Sequence, residues 1–154
     1  MLTLQTFSDG GARGNPGPAA IGYVICNPRG EVVKEGAECI GEMTNNKAEY
    51  RAMLRAMETA KAMKATKLLC HADSELIVYQ LQGLYRIKDL QLKTLAEKVK
   101  SVAVHFQTVQ WKQVPREHPM IRRADKLLNQ ALDKVRARAP TQRELKTPAQ
   151  GEFF

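Results

Sequence analysis

Near residue 44 the spacing of apolar residues changes from every second position to a helical repeat. Before that point, the segments LTLQTF, AIGYVICN and EVVKEGAECIG alternate as β-strands do. After it, NNKAEYRAMLRAMETAKAM is typical of an amphipathic helix, whose apolar face consists of Tyr50, Met53, Leu54, Met57 and Ala60. The apolar segment KLLCHAD then predicts a short buried strand. We therefore expect a three-stranded antiparallel meander, a crossover helix and a fourth strand.

The crossover helix determines where the fourth strand lies. A connection between two parallel strands of one sheet is almost always right-handed, and here it places the fourth strand beside the first and parallel to it. The first strand is predicted to end at Asp9, and the fourth runs into Asp73. Because open α/β sheets bind ligands at the carboxyl ends of such strands, we expect Asp9 and Asp73 to lie side by side at a ligand-binding edge.

The remaining segments add helices and a fifth strand. Ser74 can cap a helix over ELIVYQLQ that ends at Gly83, and a weaker helix covers about residues 90–102. VHFQTVQW alternates as a strand, and a last helix is predicted over about 121–138. The expected fold class is α/β, with a five-stranded mixed sheet of three antiparallel and two parallel strands flanked by helices.

The chain carries an excess of positive charge that is concentrated in one segment. Its formal net charge is +8, and residues 112–138 contain eight Lys or Arg side chains against three acidic ones. Such an excess favours a polyanionic partner, nucleic acid above all, although a solvated helix face has the same composition. Residues 1–139 are predicted to form one domain, followed by a polar C-terminal tail over 140–154.

The sequence also bears on the cell compartment and on the use of cysteine. No apolar run is long enough to span a membrane, and the N-terminus lacks the pattern of a secretory signal. A cytoplasmic protein with no membrane association is therefore expected. Cys26, Cys39 and Cys70 are odd in number and have no CxxC spacing, so they are predicted to be buried free thiols.

The predicted topology directs four carboxylates toward one edge of the sheet: Asp9, Glu49, Asp73 and Asp125. Each has an ordinary explanation alone, as a turn former, as half of a capping box with Asn46, as a helix cap, or as a residue near a helix N-terminus. Together they repel one another at the spacing of adjacent strands, about 4.8 Å, unless a cation offsets their charge. Oxygen ligands without a Cys or His set suit Mg²⁺, with Mn²⁺ as a substitute, and a pair of such ions can hydrolyse a phosphodiester.

The glycine-rich segment GGARGNPGP follows Asp9 directly. It is either an ordinary surface turn or a stretch of bare backbone that lets something large approach the carboxylate. With metal ions at Asp9, the second interpretation makes Gly10 and Gly11 part of the surface that a phosphate backbone contacts.

Four segments, SDGGARGNPGPAAIG, TNNKAEYRAML, HADSELIVYQLQG and VPREHPMIRRADKLLNQAL, resemble the signature segments of the type 1 ribonuclease H family. They come in the family's order and cover roughly residues 2–138. The resemblance implies a ribonuclease H-like fold and endonucleolytic cleavage of the RNA strand of RNA–DNA hybrids, which leaves 3′-hydroxyl and 5′-phosphate ends. It also implies that Asp9, Glu49, Asp73 and Asp125 bind two Mg²⁺ ions when substrate is bound, in a monomer without a small-molecule cofactor.

The same resemblance implies a set of substrate contacts. Asn15 and Asn45 match positions that hydrogen-bond the minor groove of the hybrid, where an amide can pair with the 2′-hydroxyl that distinguishes RNA from DNA. Thr44 matches a position that binds a phosphate of the DNA strand. Glu75 stands where the minor-groove contact of the family is often glutamine.

His118 lies in the loop before the last helix, seven residues before Asp125. In some members of the family a loop histidine helps activate water or release product, since histidine exchanges protons near neutral pH. His118 is therefore predicted to be catalytic. His71 and His105 lie in strand patterns and, like Trp111, are predicted to be structural.

One segment departs from a branch of the family, and two other functions share parts of the pattern. That branch carries a Lys- and Trp-rich protrusion between the third and fourth signatures, whereas LYRIKDLQLKTLAEKVKSV contains no Trp. A non-catalytic nucleic-acid-binding module would keep the fold, but the presence of all four carboxylates argues against it. A resolvase or integrase core shares the metal chemistry but is disfavoured by TNNKAEY and DSELIVYQL.

Overall fold

A computed structural model describes residues 1–138 as one five-stranded sheet with helices on both faces. The strands are β1 (Thr3–Ala12), β2 (Gly17–Cys26), β3 (Val32–Met43), β4 (Lys67–Ala72) and β5 (Thr108–Gln113), in the spatial order β3-β2-β1-β4-β5. The helices are α1 (Asn45–Ala62), α2 (Glu75–Leu81), α3 (Leu90–Ala103) and α4 (Pro119–Arg138). The predicted α/β fold class, with its mixed sheet, is confirmed.

The central strand β1 has one antiparallel and one parallel neighbour. β2 and β3 complete the antiparallel meander, while β4 runs parallel to β1 and β5 runs parallel to β4. The crossover through α1 therefore places β4 beside β1, as the sequence predicts. Phe7 lies opposite His71 in the parallel register, so Asp9 and Asp73, each two residues further on, reach the same edge of the sheet.

Side chains of β1 alternate between hydrophobic clusters on opposite faces of the sheet. Leu4 packs with the apolar face of α1 and with residues of α2 and α3, whereas Phe7 packs with Ile121 and Ala124 of α4. Full burial of one large apolar side chain stabilises the fold by about 1.5–3 kcal/mol. These clusters therefore fix α1 on one face of β1 and α4 on the other.

Two predicted strand boundaries are wrong. β1 does not end at Asp9, because Asp9 to Ala12 continue the antiparallel ladder and pair with Gly22 to Ala19 of β2. β5 begins at Thr108 rather than near residue 104, because the end of α3 and a turn occupy the residues before it. Asp9 is thus held inside a strand, which restricts its backbone more than a strand end would.

The predicted capping box of Asn46 and Glu49 is not formed. Thr44 is the N-cap of α1, and its hydroxyl oxygen accepts a hydrogen bond from the Lys47 N–H at 3.3 Å. Glu49 points toward β1 instead and accepts a hydrogen bond from the Gly10 N–H. Ser74 caps α2, as the sequence predicts.

Of the three cysteines, Cys26 and Cys70 are buried free thiols, as predicted, but Cys39 is exposed. Cys39 lies on the edge strand β3, and its Sγ contacts the carbonyl oxygen of Ala131 at 3.4 Å. The alternating pattern identifies the strand, but it does not show that the strand lies at the edge of the sheet.

Two further predictions concern the ends of the domain and the membrane. The predicted tail, 140–154, lies outside the described residues, and the domain boundary at residue 139 stays a prediction. Among residues 1–138, no helix combines the length and the apolar character needed to cross a membrane.

Candidate active site

Three carboxylates meet at the edge of the sheet that the topology predicts. Asp9 lies on β1, Glu49 on α1 and Asp73 directly after β4. Each offers one oxygen atom, and these three oxygens lie within 4.8 Å of one another. Asp125 of α4 lines the same cavity, which has a volume of about 500 Å³. The structure thus brings the four predicted carboxylates to one place.

Close backbone packing at Gly10 directs Glu49 into this cavity. α1 crosses β1 so closely that a Cβ atom at Gly10 would overlap the carbonyl group of Ala48. The Gly10 N–H donates a hydrogen bond to Glu49 Oε1 at 2.5 Å. The approach of α1, rather than of a phosphate backbone, therefore requires glycine at this position. Gly11 is less restricted, since a Cβ there would meet only the Leu128 side chain, at 3.7 Å.

The carboxylates repel one another, and ionising all of them without a cation is unfavourable. Burial, reinforced by the charges of Glu49 and Asp73, raises the pKa of Asp9 to about 10. Burial and the charge of Asp73 raise the pKa of Glu49 to about 8, against the hydrogen bond from Gly10. Burial also raises the pKa of Asp73. Without cations, the cluster therefore retains protons at neutral pH.

Asp125 reaches the cavity from the face of the sheet opposite α1. Gly22 of β2 lies opposite Asp9 in the antiparallel register, and a Cβ there would overlap the carbonyl group of Ala124. Glycine therefore lets α4 pack closely on the sheet. The Asn129 side-chain amide donates to Asp125 Oδ1 at 3.3 Å and to the Asp125 carbonyl oxygen at 3.0 Å, which orients this carboxylate.

Comparison with known proteins identifies the arrangement. Residues 7–131 match the family described as reverse transcriptase-like. The chain is 37% identical to ribonuclease HI of Halobacterium salinarum over 130 residues, which cover 84% of this chain and 64% of that protein. The crystal structure of RNase H1 from that organism is similar with a TM-score of 0.82 and 36% identity, covering 86% of this chain and 98% of the solved one. The chain belongs to the type 1 ribonuclease H family.

Two other proteins are similar to this chain over most of its length. A bifunctional protein of Mycobacterium tuberculosis is 36% identical over 127 residues, which cover 82% of this chain and 34% of that protein. LC11-RNase H1, solved in complex with an RNA/DNA hybrid, has a TM-score of 0.81 and 39% identity, covering 86% of this chain and 98% of that one. The chain thus spans 64% and 34% of the length of the Halobacterium and Mycobacterium proteins.

The sequence analysis missed Arg116, which lines the carboxylate cavity of this ribonuclease H-family chain. It lies in the loop between β5 and α4. Burial raises the pKa values of Glu49 and Asp73, and the Arg116 guanidinium opposes that rise. The charge count placed an excess of Lys and Arg in this segment, but only the fold shows which of them faces the carboxylates.

Asn15 and Asn45, the predicted minor-groove residues, are exposed and joined by one hydrogen bond, and Asn45 lines the cavity. Asn15 Oδ1 accepts from the Asn45 N–H at 3.0 Å, and Asn45 Oδ1 accepts from the Ala12 N–H at 2.8 Å. Among residues 1–138 neither side-chain NH₂ group has a partner. Since both side-chain oxygens are occupied, the structure presents both amides as donors.

Thr44 and Glu75 lie at helix N-termini. The hydroxyl oxygen of Thr44 is used in capping α1, one residue before Asn45. Glu75 is the exposed first residue of α2. Ser74, the N-cap of α2, lines the carboxylate cavity, whereas the neighbouring Glu75 does not.

His118 precedes the first residue of α4, and its ring is turned onto the sheet. The ring stacks on Phe7 with a centroid separation of 4.9 Å, and Nδ1 accepts a hydrogen bond from the Met120 N–H at 3.1 Å. Among the described residues that line the carboxylate cavity, this loop contributes Arg116 and not His118. The predicted catalytic role of His118 stays a prediction.

The other histidines differ in environment. His71 is buried, and its Nδ1 lies 3.0 Å from the Thr6 carbonyl oxygen, which fits the predicted structural role. His105 does not lie in a strand, because it occupies the turn after α3 and is exposed. Trp111 is partly buried against the cluster beneath α1.

Proposed function

We propose that this chain is an endoribonuclease that hydrolyses the RNA strand of RNA–DNA hybrids. The observation that carries the proposal is the meeting of Asp9, Glu49 and Asp73, with oxygens within 4.8 Å of one another, and of Asp125 in the same cavity. The similarity to ribonuclease HI and to LC11-RNase H1, which was solved with an RNA/DNA hybrid, supports the substrate class. The net charge of +8 favours a polyanionic substrate.

In this proposal the carboxylates hold two Mg²⁺ ions, with Mn²⁺ as a substitute. The acidic side chains of the cavity offer only oxygen ligands, and no Cys or His lies among the described residues that line it. Because the pKa values of Asp9 and Glu49 are raised to about 10 and about 8, the cluster can ionise fully at neutral pH only if cations compensate its charge. Asp9, Glu49, Asp73 and Asp125 would hold such ions, which would supply activation of a water molecule and stabilisation of the leaving oxygen, giving 3′-hydroxyl and 5′-phosphate ends.

The chain's own residues hold the ligands in place. The Gly10 N–H orients one oxygen of Glu49, and the Asn129 amide orients one oxygen of Asp125. Arg116 favours the ionised form of the neighbouring carboxylates, and a guanidinium there can also pair with a phosphate oxygen of the substrate.

In this proposal, residues that line or flank the cavity contact the two strands of the hybrid. The free NH₂ groups of Asn15 and Asn45 donate to 2′-hydroxyl oxygens of the RNA strand. The backbone of Gly11, which lines the cavity, allows the RNA to approach. Thr44, at the N-terminus of α1, binds a phosphate of the DNA strand, and Glu75 accepts a hydrogen bond in the minor groove.

A panel of substrates of one sequence tests this function: RNA–DNA hybrid, duplex DNA, a four-way junction and single-stranded RNA, each end-labelled and incubated with Mg²⁺ or EDTA. We expect cleavage of the RNA strand of the hybrid alone, and only with Mg²⁺. Binding without cleavage would indicate a nucleic-acid-binding module, and cleavage of the junction or the DNA duplex would indicate a resolvase or integrase; either result contradicts the proposal. A monomeric state and a cytoplasmic location stay predictions from the sequence.

A further inference from the structure

His118 forms the N-terminal cap of α4. Its Nδ1 accepts a hydrogen bond from the N–H of Met120, the second helical residue, at 3.1 Å. Its carbonyl oxygen accepts from the Arg122 N–H at 2.9 Å, the first bond of the helix. Pro119, at the first helical position, has no N–H group and therefore needs no acceptor there. Nδ1 of His118 thus takes the place that the side-chain oxygen of Ser, Thr, Asp or Asn occupies in most caps.

The capping side chain is also anchored to the sheet. The His118 ring stacks on Phe7 at 4.9 Å with an interplanar angle of 26°, and Phe7 stacks in turn on His71 at 4.2 Å and 8°. Phe7 is 5% exposed and belongs to the cluster that α4 covers. Since Phe7 precedes Asp9 by two residues on β1, the cap of α4 is fixed against the strand that carries a carboxylate of the site.

The cap and Asp125 lie on the same side of α4. Asp125 follows His118 by seven residues, which is nearly two full turns at 3.6 residues per turn. A shift of the start of α4 along or about the helix axis therefore moves the face from which Asp125 reaches the cavity. Arg116, in contrast, is the residue of this loop that lines the carboxylate cavity.

We propose that His118 is a positioning residue, which sets the start of α4 on the sheet and thereby places Asp125 against Asp9, and that it does not carry protons in the reaction. This inference rests on the proposed ribonuclease function, because its effect is measured in hybrid cleavage. The Nδ1 atom that caps the helix is occupied, and the ring is held by stacking rather than by the carboxylates.

Three variants separate the two roles of His118: H118N, H118A and D89A. H118N keeps a good N-cap and removes the imidazole, while H118A removes both. D89A is the matched control, since Asp89 caps α3 by accepting from the Gln91 and Leu92 N–H groups at 2.8 and 3.0 Å and α3 carries none of the four carboxylates. For each protein we would measure the melting temperature, kcat on the hybrid, the pH–rate profile and the Mg²⁺ concentration that gives half-maximal rate.

We expect H118A to lower kcat on the order of 10- to 100-fold, as small misplacements of a reacting constellation do, and to raise the half-saturating Mg²⁺ concentration several-fold. H118N should recover at least about a third of the wild-type kcat, with the wild-type pH–rate profile, because Asn caps helices as well as Asp or Ser does. D89A should lower the melting temperature about as much as H118A does, without raising the Mg²⁺ requirement.

Several results would overturn the positioning role. If H118N and H118A are equally slow at saturating Mg²⁺, with an unchanged Mg²⁺ requirement and an altered pH–rate profile, the imidazole transfers protons. If H118A keeps the wild-type rate and Mg²⁺ requirement, or D89A matches it in both, capping of α4 has no specific effect on the site. If H118A does not fold, H118N decides alone, and a rate below about a tenth of wild type counts against positioning. Failure of the wild-type protein to cut the hybrid would instead refute the proposed function.

Discussion

The four carboxylates of the cavity are supported in two different ways. The sheet-side group, which we define as Asp9, Glu49 and Asp73, is held by the β1–β4 register and by the hydrogen bond from Gly10 to Glu49. Asp125 stands on α4, which packs across the opposite face of the sheet. The cap at His118 orients α4, and the Asn129 amide orients the Asp125 carboxylate. Asp9 and Asp73 are therefore fixed by the backbone of the sheet, and Glu49 of α1 is tied to that frame through Gly10. The position of Asp125 depends only on how α4 docks.

Close packing of the sheet-side group has an electrostatic cost. Burial, with mutual repulsion, raises the pKa values of Asp9 and Glu49, and burial raises that of Asp73. Close packing thus holds three carboxyl groups where their charges are unfavourable without cations. Such an arrangement sacrifices stability of the ion-free protein for a preformed cation site.

The largest expected effect comes from neutralising the sheet-side group. D9N, E49Q and D73N should each reduce hybrid cleavage by several orders of magnitude, because each removes a charged ligand from the proposed two-ion site. The melting temperature in EDTA should stay the same or rise, since one repelling charge is gone. D133N is a matched control on α4, where Asp133 forms an exposed ion pair with Arg13 at 2.7 Å. Near-normal cleavage by D9N, or a clear loss of its stability in EDTA, would contradict the assignment.

A smaller effect is expected at Asp125. An amide oxygen can still ligate a hard cation, and Asp125 lies outside the trio whose oxygens meet within 4.8 Å. D125N should therefore retain at least about ten times the activity of D9N, a difference of about 1.4 kcal/mol in transition-state stabilisation. Equal losses in D9N and D125N, measured as kcat/KM on one hybrid, would remove the distinction between the two supports.

Much of the sheet-side group could be predicted from the sequence. The spacing of apolar residues is a local signal of strand or helix, and the handedness of crossover connections is nearly invariant. The alternation of LTLQTF, the apolar segment KLLCHAD and the right-handed crossover through the helix before it were sufficient to place Asp9 beside Asp73. The close approach of α1 to Gly10 was not predicted, because it depends on how Ala48 packs in three dimensions, and the substrate contact of Gly10 stays a prediction. Arg116 was missed for a similar reason: a single Arg in a basic segment carries no signal of the direction in which it points.

Two glycines allow the two supports to be disturbed by the same added volume. G10A should displace α1 and with it Glu49, whereas G22A should displace α4 and with it Asp125. Each overpacking change should destabilise the fold by about 1–3 kcal/mol. At equal loss of melting temperature we expect G10A to lose more cleavage activity than G22A. An equal or reversed order, measured well below both melting temperatures, would show that the two supports matter alike.

The smallest expected effect is the pH dependence of stability in the ion-free protein. The pKa values of Asp9 and Glu49 are raised from 3.8 and 4.5 to about 10 and about 8. Above the unfolded values the folded state binds more protons, so stability falls as pH rises through 8 toward 10. Burial lowers the pKa of His71, which has the opposite effect near neutrality and below it.

This dependence is therefore best measured between about pH 7 and about pH 9.5. We expect the melting temperature in EDTA to fall across that range, and to fall less in D9N or with saturating Mg²⁺. A melting temperature in EDTA that rises in the wild-type protein, or the same slope in D9N, would show that these carboxyl groups are not protonated in the folded state.

The proposed reaction is tested most directly by cleaving a hybrid in ¹⁸O-labelled water and analysing the RNA products by mass spectrometry. Hydrolysis by a water molecule activated at the carboxylate cluster predicts ¹⁸O in the 5′-phosphate of the downstream fragment and an unlabelled 3′-hydroxyl on the upstream one. The label should appear only with Mg²⁺, and D73N should form no labelled product. Label in a 3′-phosphate, a 2′,3′-cyclic end, or full incorporation by D73N would contradict hydrolysis at this site.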